Sequence, residues 1–183
     1  VDAKNYKTGD SVVETTKAEI GSTKELNGII YVLDGWYPEN ETGGAYKDQK
    51  ITNWNYTPNA TELADGTVNF YAHYIPLYTS VNIKKLVTGN MGDKNKPFRF
   101  TVSVVNGNTN LPFKIDETQY TGSTKITLSD NQTRKLTQVP VGATVTITED
   151  DYSGSRYTTS CTIDGSASAG DRIATISNIQ QLN

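Results

Sequence analysis

The stretch VNIKKLVTG, residues 81–89, decides how the chain is to be read. Read as a β-strand, its alternation sends Val81, Ile83, Lys85 and Val87 to one face and Asn82, Lys84 and Leu86 to the other. The first set is a core face with a lysine in it. An unpaired buried ammonium costs several kcal/mol, so a lysine in that register needs a partner or a chemical role.

Outward from this stretch the same alternation repeats. PFRFTVSV puts Phe98, Phe100, Val102 and Val104 on one face, and KITLSDN, TRKLTQV, ATVTITE, RYTTSCTI and IATISN follow with turns between them. Seven or eight short strands in roughly a hundred residues predict an Ig-like β-sandwich over residues 79–183. Upstream, GIIYVLDGWY and GTVNFYAHY read as aromatic strands of a smaller module, residues 1–78, and IPLYTS with Pro76 separates the two patterns. The fold class is therefore all-β. Composition agrees: 15 Gly and 11 Tyr against a single Met suit strands and polar turns, not helical bundles.

Several function classes fall away on inventory. The net charge is −3 and Lys and Arg do not cluster, which argues against a nucleic-acid partner. No apolar run has the length of a membrane span, and a chain starting at Val without a signal pattern reads as an excised fragment. The single cysteine, Cys161, excludes an internal disulfide and reads as a small hydrophobe on a strand face with Tyr157, Thr159 and Ile163. One histidine, His73, with no second His or Cys nearby in the sequence, argues against a metal site or a Ser-His-Asp triad. A Cys161 thioester with Gln180 or Gln181 is disfavoured by the mid-strand position of the cysteine, and the acidic loops MGDKNK and TEDDYSGS lack a calcium ligand ladder. No cofactor is called for.

Three strands share one grammar, two inward apolar residues and then a polar one. They are Val81-Ile83-Lys85, Val145-Ile147-Glu149 and Ala174-Ile176-Asn178. An amine, a carboxyl and a carboxamide on inward faces are the reagents of an amide bond. A neutral Lys85 would attack the Asn178 side-chain carbonyl while Glu149 relays the proton, and ammonia would leave. That chemistry is one turnover on the chain itself, so no external enzyme activity is expected. Trp36, Tyr37, Trp54 and Tyr56 are the candidates for a ligand-stacking platform in the first module.

Two resemblances sharpen this. GIIYVLDGWY followed by VNFYAHY, about residues 25–74, resembles the β-grasp-like repeat of internalin B and other bacterial surface proteins (the Listeria-Bacteroides repeat). VNIKKLVTGNMGDKNKPFRFTV, VPVGATVTITEDDYSGSRYTT and ATISNIQ, about residues 79–181, resemble the pilin and collagen-adhesin B-type (Cna B) domains of Gram-positive surface proteins. The second resemblance implies a Lys85–Asn178 isopeptide bond with Glu149 as its catalyst, although Ile176 stands where that family carries an aromatic. It also implies an extracellular, wall-attached stalk whose partners are neighbouring domains of the same protein. The alternative is an adhesin module that takes a host glycan or protein through the first-module aromatics.

Overall fold

The computed structural model describes residues 19–38, 50–51, 57, 69–164, 166–167 and 170–180. The described residues are all-β, with one turn of 3-10 helix at Ser153–Ser155. The chain divides into two compact units, Val1–Lys24 with Tyr31–Ile75, and Glu25–Ile30 with Pro76–Asn183.

Three strands, β1 (Thr23–Leu26), β2 (Ile29–Pro38) and β3 (Phe70–Pro76), form a sheet in the order β1-β2-β3. β1 and β2 are joined through Asn27 and Gly28, both at positive φ (53° and 76°), the left-handed pair that an Asn-Gly hairpin turn demands. Most of residues 51–65 lie outside the described residues.

In the second unit, β4 (Tyr78–Lys84), β5 (Phe98–Asn106), β6 (Thr109–Asn110), β7 (Pro112–Ile115), β8 (Thr118–Thr121), β9 (Ser123–Leu128), β10 (Thr133–Pro140), β11 (Thr144–Glu149) and β14 (Ile173–Ile176) build two sheets. A small hairpin of β12 (Thr162–Ile163) and β13 (Ser166–Ala167) is separate. One sheet runs β4-β10-β7-β8; the other runs β14-β11-β5, with β9 and β6 sharing the far side of β5. The alternation read in the sequence sets the inner faces. Phe98, Phe100, Val102 and Val104 of β5 are buried, with Leu128 and Val145 on flanking strands of that sheet, and they pack with Val81, Ile83, Phe113, Ile115 and Leu136 of the other.

Two local features depart from simple alternation. β10 carries a bulge, with Leu136 opposite Val81 but Val139 opposite Thr79, and Gln138 at φ 51° absorbs the extra residue. Leu136 and Val139, three residues apart, can therefore both face the core at 0 % exposure. RYTTSCTI, expected as a full strand, is strand only at Thr162–Ile163, and Tyr157 instead turns inward from a loop.

The packing has a direct energetic consequence. Leu136→Ala is expected to lower stability by about 2–5 kcal/mol, seen as a lower urea midpoint at unchanged slope. Met91→Ala, at a residue 93 % exposed, should change it by less than about 0.5 kcal/mol.

Candidate functional site

Lys85 follows directly on β4, and its backbone still pairs across to the Asn131-Gln132 turn: its N–H donates to the Gln132 carbonyl at 3.1 Å, and its carbonyl accepts from the Asn131 N–H at 2.9 Å. This continued pairing keeps the strand register, so the side chain enters between the sheets as the alternation requires. There Lys85 Nζ lies 2.6 Å from Glu149 Oε1. The two side chains are 13 % and 4 % exposed. Glu149 arrives at the end of β11 through its pairing with Phe100 of β5. The pair thus ties the edge strand of one sheet to an interior strand of the other.

Aromatic rings close the site. Lys85 Nζ is 4.3 Å from the Phe98 ring centroid, within cation–π range. Tyr152 and Tyr157 stack edge-on to Phe98 at 5.0 and 5.2 Å. Their hydroxyls accept backbone N–H groups, Tyr152 from Arg99 at 2.9 Å and Tyr157 from Asp93 at 3.0 Å. Those two bonds pin the loop after β11 over the pair. Neither tyrosine stood out in the sequence as part of the site: Tyr152 lies in a turn-rich segment, and the alternation of RYTTSCTI places Tyr157 on a strand where the structure has a loop.

Asn178 is not brought to this pair. β14 runs antiparallel to β11, with Ile176 opposite Val145 and Ile173 opposite Thr148, and the Glu149 N–H donates to the Arg172 carbonyl at 2.9 Å. The same register sets Asn178 beside Ala143, where the neighbouring Ile179 N–H donates to the Ala143 carbonyl. Glu149 is then about six residues away along β11, roughly 20 Å at about 3.3 Å per residue. Asn178 is exposed at φ 50° and serves the turn after β14. The structure does not bring Asn178 to Lys85 and Glu149: antiparallel pairing of β14 with β11 sets it at the other end of β11, exposed in the turn after β14.

Cys161 is half-buried, not fully buried as expected, and its thiol donates to the Asp171 carbonyl at 3.3 Å. Burial pushes the thiol above its ordinary range, the Glu149 carboxylate adds to this, and Lys85 works against it. In the first unit, Tyr37 donates its hydroxyl to Asp34 at 3.0 Å and meets His73 edge-on at 5.5 Å, while the Trp36 backbone bridges to Ile51. Lys50 also reaches Asp34, at 2.7 Å. Hydrogen bonds from Lys50 and Tyr37 hold the Asp34 carboxyl below its usual range. Trp54 and Tyr56 lie outside the described residues.

Residues 79–180 match the family described as a domain of unknown function, DUF7601. The chain belongs to that family. The Lys85–Glu149 pair lies inside the matched DUF7601 region. Over 123 residues the chain is 30 % identical to a pilin of Streptococcus pyogenes serotype M1, covering 57 % of this chain and 35 % of that protein. It thus spans about a third of the length of that relative. Among solved structures, it is similar to the pilus-presented adhesin Cpa (TM-score 0.48, 22 % identity, 61 % of this chain and 27 % of that one). It is also similar to the major pilin from Streptococcus pyogenes (TM-score 0.47, 19 % identity, 92 % of this chain and 63 % of that one).

The pair makes two measurable demands. Lys85→Met leaves a buried carboxylate unpaired and is expected to cost about 3–5 kcal/mol in denaturant unfolding; joining it to Glu149→Leu should recover most of that loss. A double variant no more stable than Lys85→Met would show that the unpaired carboxylate is not the source of the loss. Because the Cys161 thiol is held above its usual range, its thiolate is scarce near pH 8. Its alkylation by iodoacetamide should therefore lag behind that of a free cysteine peptide, and rise only at a higher pH than the peptide's.

Proposed function

We propose that this chain is a structural segment of a bacterial cell-surface, pilus-type protein, acting by the mechanical integrity of its sandwich and not by turnover of an external substrate. The observation that carries this reading is the Lys85–Glu149 pair, 2.6 Å apart between the two sheets under a cap of aromatic rings, in a chain 30 % identical to a pilin over 123 residues. The only assembled set of amine and carboxyl found between the sheets among the described residues faces inward, where no external substrate reaches it.

The role of the pair is that of a clamp. The amine and the carboxyl of an amide-forming centre are together, and the carboxamide is about 20 Å away along β11, so the pair holds the sheets by charge and hydrogen bonding. The cation and carboxylate satisfy each other in a site that admits little water, which makes the loss of either one costly while the intact pair contributes modestly. Neighbouring domains of the same surface protein are the expected partners, and a host-ligand role for Trp36 and Tyr37 would add to this function without replacing it.

High-resolution intact mass spectrometry of the purified chain, beside Lys85→Met and Asn178→Ala, tests the clamp. The expected mass is the full sequence mass in all three. A wild-type mass short by one ammonia, restored in both variants, would replace the clamp with a covalent bond from Lys85 to Asn178 and require β14 to adopt another pairing.

A further inference from the structure

A second feature of the sandwich lies outside the Lys85–Glu149 pair. A cleft of about 410 Å³ opens where β8 and β9 diverge into different sheets. Its rim carries Arg99 of β5, Lys125 of β9 and Arg134 of β10, with Asp116 from the β7–β8 turn as its one lining acid. Three cations against one carboxylate give a local charge of +2 on a chain whose net charge is −3. Arg134 is paired with Asp116. Arg99 and Lys125 have no carboxylate partner among the described residues, and both are exposed.

The cations sit around a surface that is neither flat nor uniformly polar. Tyr120 lines the cleft with a half-buried ring supported from behind by Phe113 at 5.9 Å. Thr118 and Thr127 add hydroxyls, and Ile115 and Ile126 add apolar floor. The register explains why the unpaired cations converge: Arg99 lies opposite Thr127 and Thr101 opposite Lys125, so Arg99 and Lys125 are diagonal neighbours on the outer face of the β5–β9 ladder.

We propose that this cleft binds a carboxylate-bearing saccharide unit. A guanidinium offers a planar fork to a carboxylate, an aromatic ring offers its face to the C–H side of a sugar ring, and threonine hydroxyls complement sugar hydroxyls. The volume, a few hundred Å³, is that of a small-ligand site. This inference does not depend on the clamp: it rests on the side chains of the cleft, and Arg99 serves the aromatic cap only through its backbone N–H to Tyr152.

The test is a two-dimensional amide NMR titration of the chain with sodium glucuronate at about 0.15 M salt. Glucose, sodium acetate and a short blocked aspartate peptide form parallel arms. Glucuronate is expected to shift the amides of Arg99, Tyr120 and Thr127 more strongly than any other arm, and Arg99→Gln or Lys125→Gln should weaken it by about tenfold. Both substitutions are at exposed positions, and an otherwise unchanged spectrum will show that each variant is folded. Absence of shifts, equal or stronger shifts with acetate or the peptide, or undiminished binding in both variants would overturn the proposal.

Discussion

Two sheets that bury their inner faces against each other leave no room for a lone charge, and Lys85 is committed to that interior by the strand it extends. Val81 and Ile83 fix the face, the backbone pairing of Lys85 with the Asn131-Gln132 turn fixes the register, and the ammonium has nowhere to go but inward. A carboxylate must meet it. Glu149 does so at the end of β11, and the rest of the site follows from keeping that contact dry: Phe98 beneath the amine, Tyr152 and Tyr157 against Phe98, and a loop pinned by both tyrosine hydroxyls.

The position of the clamp matters as much as its chemistry. The chain enters β4 and leaves β14 at the same end of the sandwich, where the Leu77 carbonyl accepts from the Val141 N–H and the Ile179 carbonyl accepts from the Gly142 N–H. The Lys85–Glu149 pair lies at the other end. The entry and exit strands are thus joined to the β10–β11 turn by backbone bonds at one end, and the two sheets are joined by a side-chain pair at the other.

The sandwich was largely legible in the sequence because its strands alternate cleanly. Phe98 through Val104, Val145 through Glu149 and Val81 through Lys85 each announce an inner face by period-two patterning, and each is found on that face. Less was legible where the pattern is short or broken. The β7–β8 hairpin, with Phe113 and Ile115 inward and Asp116 and Glu117 at positive φ in the turn, has the alternation but only four residues per strand. Val139 reaches the core only through the bulge at Gln138, and strict alternation from Leu136 places it outside. The cleft residues Arg99, Lys125 and Arg134 come from three strands with nothing local to connect them.

What the sequence by itself determined is therefore the all-β class and the inward faces that carry Lys85 and Glu149. Facing is a local property, set by the two-residue repeat of an extended chain and by the cost of burying a charge alone. What only the tertiary structure decided is position along those faces. Whether Asn178 stands beside Glu149 or at the far end depends on the direction in which β14 pairs with β11, and no alternation encodes strand direction. The same holds for the aromatic cap and the cationic cleft, whose members are adjacent because of sheet order and register, which are contacts between residues distant in the chain.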